Sequence, residues 1–280
     1  MPPRVNAYMS TPVVTVSPSN TLAHARNLML RYGVGRLVVT ENSKIVGILS
    51  MSDFIKVFGH PDLARKALDE LVVRDIMSEN VLTIRPSDSI VQAARIMSKH
   101  RIGSLPVVDD DGSLLGIVTR TDLARAYAEN FRGEVKVEDA MNSDPPTVSP
   151  FHTIHHIIEA MEEKQYFRAV VVDANKPVGI ISRRDIIFLS PRKLYSDVKY
   201  LKRDKPLPKG RVGAIRTYII PVAMDIMTPD PATISPDEDL AVAASLMSEK
   251  GFSSLPVVDS EGCLLGLVST YEIVDVISRM

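Results

Sequence analysis

The sequence predicts a mixed α/β chain: four β-α-β-β-α repeats, paired into two modules. Three observations carry this prediction. An apolar hairpin unit, clearest over residues 102–122 (IGSLPVVDDDGSLLGIVTRTD), occurs four times. A strand glycine in each copy stands at fixed spacing from a hydroxyl and an acidic residue. Upstream of each hairpin, a pattern of Met, Thr and Pro leads into an amphipathic helix. Recurrence of several features in one register marks a repeat architecture.

Each element follows from its residues. AYMSTPVVTVSP, DIMSENVLTIRP, DAMNSDPPTVSP and DIMTPDPATISP each supply a short strand around Thr15, Thr83, Thr147 or Thr233. Pro18, Pro86, Pro150 and Pro236 then close it, because proline lacks the ladder donor. Helices begin at Leu22, Ile90, Ile154 and Leu240, and Met29, Met97, Met161 and Met247 follow seven residues later on the same face. Those methionines read as adaptable packing. Gly33, Gly251 and Gly103 mark the helix exits. Two apolar strands follow, joined in the second repeat by Asp109–Gly112, where glycine accepts the positive φ of a tight turn. The strand glycines are Gly47, Gly116, Gly179 and Gly266. Ser50, Thr119, Ser182 or Ser269 stands three residues on, and Asp53, Asp122, Asp185 or Glu272 six residues on, where the last helix starts. One such repeat has little core of its own, so pairing is expected to bury its open sheet face.

The expected boundaries are 1–60, 72–130, 134–189 and 222–280 for the repeats, with a basic insertion at 190–221. A polar helix is expected over 61–71, between the first two repeats.

Composition excludes several classes. The net charge of −1 creates no global attraction to nucleic acid or membrane, and no apolar run is long enough to span a bilayer. The single cysteine, Cys263, rules out an internal disulfide and a cysteine-based zinc site. A cytoplasmic location is expected. No Gly-rich phosphate loop or nucleophile–base motif is visible, so the chain reads as a non-enzyme.

The recurring hydroxyl and carboxylate carry the chemistry. One carboxylate can accept hydrogen bonds from both ribose hydroxyls, and a helix N-terminus with a nearby hydroxyl can receive a phosphate. The same residue types also cap helices with no ligand present. Arg36 and Arg168 precede the first hairpin strand in the odd repeats, where the even repeats have Ser104 and Ser254. Arginine there suits a phosphate or is a strand-end surface residue.

With these residues in view, the sequence resembles a tandem array of four cystathionine β-synthase (CBS) domains forming two Bateman modules. The resemblance rests on GRLVVTE…GILSMSD, GSLPVVD…GIVTRTD, FRAVVVD…GIISRRD and SSLPVVD…GLVSTYE, and covers nearly the whole chain. It implies adenosyl ligands (AMP, ADP, ATP or S-adenosylmethionine) as regulatory ligands in clefts between paired repeats, with no further cofactor and no metal. It implies ribose contacts from Asp53, Asp122 and Asp185, and a phosphate side formed by Ser50, Thr119, Ser182, Arg36 and Arg168. It also implies an adenine cradle in the backbone at Thr15, Thr83 and Thr147. Glu272 replaces the aspartate in the fourth repeat, so Ser269 and Glu272 form a doubtful site. The first repeat has Val38 in place of the proline of LPVV and keeps Asp53. The expected partners are the small ligand, a regulated protein and a second copy of the chain through its modules.

Two motifs lie outside that pattern. His152, His155, His156 and Glu159 have a spacing that can hold a metal, and also that of exposed helix residues. The insertion carries nine Lys/Arg against Asp197 and Asp204, which suits nucleic acid, an acidic protein surface or a solvated linker.

Overall fold

The structure is a computed structural model, and it describes residues 2–59, 63, 66–187 and 221–280. The basic insertion lies outside the described residues except for Pro221, as do residues 61, 62, 64 and 65; the helix expected over 61–71 does not extend through 66–71. Residues 66–71 form turns.

The four repeats share one plan. The first helices span Leu22–Tyr32, Ile90–His100, Ile154–Glu163 and Leu240–Lys250, with the starts that their apolar spacing predicts. Thr21, Ser89 and Thr153 cap three of them, their hydroxyls accepting from His24 N, Gln92 N and His156 N. Gly33 and Gly251 end two helices with φ of 64° and 69°. In the second repeat Arg101 (φ 52°), not Gly103, takes that left-handed position. The glycine two residues on has another use, described below.

The hairpins pair Arg36–Glu41 with Lys44–Ser50, Ser104–Val108 with Leu114–Thr119, Arg168–Asp173 with Lys176–Ser182, and Ser254–Val258 with Leu264–Ser269. Each has a register shift at the same place. In repeats two and four, Gly112 and Gly262 take φ near 80°, and Asp109 and Asp259 accept backbone N–H groups across the turn. The Thr-containing strand runs parallel to the hairpin as Thr15–Val16 and Thr147–Val148. In repeats two and four it shrinks to single bridges at Ile84 and Ile234.

Pairing is by exchange. Each repeat opens with a helical turn (Val5–Ala7, Val73–Asp75, Val137–Ala140, Ala223–Ile226) that docks on its partner, not on itself. Val5 N donates to Asp88 O, Val73 N to Asn20 O, Val137 N to Glu238 O and Ala223 N to His152 O, all at 2.8–2.9 Å. The chain then bridges the partner's second hairpin strand: Ser10 with Ile117, Ser78 with Ile48, Asn142 with Leu267, and Thr228 with Ile180. The strand glycines make room for this crossing. A Cβ at Gly47 would lie 2.7 Å from Met77 Sδ, and one at Gly116 2.8 Å from Met9 Sδ. A Cβ at Gly266 would lie 2.6 Å from Asn142 O. The recurring Met and Gly are therefore two halves of one joint, between repeats one and two and between three and four.

The modules then pack on each other within the chain. Helix Arg120–Asn130 lies against Leu240–Lys250 and Thr270–Ser278, and Ile90–His100 lies against Thr270–Ser278. Met51–Gly59 meets Arg183–Ile187. Repeats two and four thus share one apolar core, rich in buried alanine (Ala93, Ala94, Ala124, Ala126, Ala241, Ala243, Ala244) that lets helices approach closely. Met29 and Met161 instead fill the separate cores of repeats one and three. These helix contacts between the modules are made within one chain. Among the described residues no helix is long and apolar enough to cross a membrane.

Candidate functional site

A cleft of about 420 Å³ opens between repeats one and two, a size that suits a small molecule. Repeat one contributes Arg36, Ile48, Ser50 and Asp53, and repeat two contributes Ser78, Asn80–Leu82, Ile102–Ser104, Pro106 and Arg120. Phe167 of repeat three closes one side.

The acidic residue is positioned by a capping box, which satisfies the first free N–H groups of the following helix. Asp53 Oδ2 accepts from Ser50 N at 2.8 Å and from Ser50 Oγ at 2.7 Å. Thr119 and Asp122 repeat this geometry, as do Ser182 and Asp185, and Ser269 and Glu272. The hydroxyls of Ser50, Thr119 and Ser182, expected on the phosphate side, are therefore turned onto their own carboxylates. Each box leaves one carboxylate oxygen facing away from the cap.

The four carboxylates then differ. Asp53 lines the cleft and is 4 % exposed. Asp122 is 8 % exposed, and its Oδ1 is approached by Ser10 Oγ at 3.5 Å and Arg125 Nη2 at 3.8 Å. Arg125 also donates to Tyr8 O and stacks over the Tyr8 ring. Asp185 is half-buried. Glu272 Oε1 accepts from the Tyr166 hydroxyl at 2.7 Å.

Cations converge where the modules meet. A Cβ on Gly103 would collide with the guanidinium groups of both Arg36 and Arg120. Both guanidinium groups thus pass close over the Gly103 backbone. Burial, with Arg168 beside it and Asp53 opposing, lowers Arg36 to about 10. Burial, with Arg36 and Arg168 nearby, lowers Arg120 to about 9, against the pull of Tyr271 and Glu272. Burial lowers Arg168 too, while Tyr166, Glu272 and Asp185 raise it. Arg36, Arg120 and Arg168 thus lie near one another. The Arg120 guanidinium lies 5.6 Å from the Phe167 ring and 5.4 Å from the Tyr271 ring, both within cation–π range. The Arg183 guanidinium lies 4.3 Å from the Phe167 ring.

Thr15, Thr83 and Thr147 are exposed, and the residues of this segment that line the first cleft are Ser78 and Asn80–Leu82, just before Thr83. His155 pairs with Glu159 at 3.1 Å and His152 Nδ1 accepts from Ser149 N at 3.2 Å; no metal-binding group forms among the described residues. Sequence reasoning missed Arg120, Phe167 and Tyr166. Arg120 was open to view beside Thr119, but its partners come from other repeats.

Sequence profiles of the CBS domain match residues 5–60, 73–129, 137–192 and 222–279. The chain belongs to the CBS domain family. Protein MJ1225 of Methanocaldococcus jannaschii is 26% identical over 274 residues, which cover 93% of this chain and 94% of that protein. The crystal structure of MJ1225, proposed as an archaeal homolog of g-AMPK, matches this CBS chain with a TM-score of 0.79 at 22% identity, covering 98% and 99% of the two chains. A conserved protein from Pyrococcus horikoshii matches with a TM-score of 0.65 at 20% identity, covering 98% of this chain and all of that one. These likenesses show a four-repeat CBS fold. The CBS domain-containing protein YhcV of Bacillus subtilis is 32% identical over 115 residues, 41% of this chain and 81% of that protein.

Proposed function

We propose that this CBS protein is a non-enzymatic sensor of adenine nucleotides, and that its principal site is the cleft holding Asp53. One observation carries the reading: this cleft brings a carboxylate, Asp53, together with two guanidinium groups, Arg36 and Arg120. A ribose diol calls for a carboxylate acceptor, and a phosphate calls for arginine. Ile48, Val81, Leu82 and Ile102 offer an apolar surface to a flat base. Burial outweighs the opposing charges on these cations, Asp53 for Arg36 and Tyr271 with Glu272 for Arg120, and a bound anion relieves that cost. The same cations disfavour S-adenosylmethionine, whose sulfonium is positive, so AMP, ADP and ATP are the preferred ligands.

Asp122 and Asp185 are secondary sites in this proposal, with Arg168 serving the phosphate side in the second module. Sensing follows from the position of Arg120. A phosphate that draws Arg120 inward changes its stacking on Phe167 of repeat three and Tyr271 of repeat four, so binding in one module biases the other. A regulated partner reads the difference. The test is thermal unfolding with AMP, ADP, ATP and S-adenosylmethionine, each at about 100 times its Kd, where binding adds roughly 2.7 kcal/mol. A shift with the nucleotides is expected; no shift with any of the four would overturn the proposal.

A further inference from the structure

The fourth cleft is assembled from the same positions as the first. Repeat alignment puts Ser269 and Glu272 where the first cleft has Ser50 and Asp53, and Leu267 where it has Ile48. Asn142–Pro146 stands where the first cleft has Ser78–Leu82. The decisive exchange is at Ile102, a lining residue of the first cleft, which becomes Tyr166.

Tyr166 fills that space. Its hydroxyl donates to Glu272 Oε1 at 2.7 Å and lies 3.3 Å from Ser269 Oγ. Its ring packs with Val170 and Leu267, both fully buried, and Tyr166 itself is 8 % exposed. Glu272 keeps the helix cap, since Oε2 accepts from Ser269 N at 2.7 Å and from Ser269 Oγ at 2.6 Å. The oxygen that the cap does not use, Oε1, is the one bonded to the tyrosine. Glutamate in place of aspartate fits this closure, because its extra methylene carries Oε1 forward while Oε2 stays on the cap.

We propose that Tyr166 is a built-in occupant of the fourth cleft, its hydroxyl standing in for a ligand hydroxyl on Glu272, so that this cleft is closed to ligands. A ligand entering there must expel a buried aromatic ring and leave the Glu272 carboxylate without its partner, a loss that a free nucleotide has to replace in full. The closure makes the two modules unequal by construction.

This inference rests on the proposed ligand class, and the test separates the two. Calorimetric titration with AMP gives the number of molecules bound per chain for the parent and for Tyr166→Ile combined with Glu272→Asp, the pair found in the first cleft. The parent's count tests the nucleotide reading. The difference between the counts tests the closure: one additional AMP is expected, and an unchanged count overturns it. If the double variant does not fold, photolabelling the parent with 8-azido-AMP decides. The expected result is no label in peptides covering 142–147 and 264–272, and label there overturns the closure.

Discussion

The crossing of the repeats predicts two very different costs for one chemical change. Replacing Gly266 with alanine (Gly266→Ala) puts a methyl group 2.6 Å from Asn142 O, a backbone atom. Real Cβ contacts essentially never come under 3.0 Å, so the backbone at Asn142 must retreat by several tenths of an ångström. Doing so stretches the reciprocal pair Asn142 N to Leu267 O and Leu267 N to Asn142 O, each at 2.9 Å. Overpacking costs about 1–3 kcal/mol and each weakened bond adds up to about 1 kcal/mol, so a loss of about 2–4 kcal/mol is expected. The same change at Gly47 meets Met77 Sδ at 2.7 Å, the far end of a flexible side chain, with Ser78 O at 3.2 Å. It is expected to cost about 1 kcal/mol. Thermal and urea unfolding of both variants measure this, with Gly266→Ala falling by roughly 5–10 °C. Equal losses at the two sites, or a larger one at Gly47, would refute the joint described here.

Other expectations are equally direct. Arg36→Ala is expected to weaken AMP binding about 10- to 100-fold and flatten its salt dependence, with adenosine affected far less; an equal loss for adenosine contradicts a phosphate role. Among the described residues the Tyr127 hydroxyl is buried without a hydrogen-bond partner, so Tyr127→Phe should add about 1 kcal/mol in urea unfolding, and a loss would count against that orphaned group. Burial holds the Glu272 carboxyl above its ordinary value, despite hydrogen bonds from Ser269 and Tyr166 that pull it down. The fold therefore favours the protonated acid: its stability contribution is complete below about pH 4 and is lost as pH rises through the raised value. Glu272→Gln should accordingly gain on the parent as pH rises from about 4 through the raised value, and a gap that narrows over that rise is the wrong sign.

Local order was legible in the sequence because it is written in short-range patterns. Leu22, Ile90, Ile154 and Leu240 open their helices as the apolar spacing requires. The hydroxyl and acid at fixed spacing do form one local unit in every repeat. What escaped were contacts between repeats. Val5, Val73, Val137 and Ala223 stand four residues before the recurring methionines, and that spacing was a signal for the exchanged turns. Gly103 looked like a helix exit, yet its lack of a side chain serves Arg36 and Arg120, one of them from another repeat. Nothing near Tyr166 in the sequence announces that its partner is Glu272, more than a hundred residues away.

The central claim is that the Asp53 cleft takes a phosphate-bearing adenosyl ligand. Calorimetric titration of AMP into the parent and into Asp53→Asn tests it most directly. The account predicts saturable binding to the parent, weakened by salt, and a class of sites lost or weakened about 10- to 100-fold in the variant. Identical isotherms for the two proteins, or tighter binding of S-adenosylmethionine than of AMP by the parent, would contradict it.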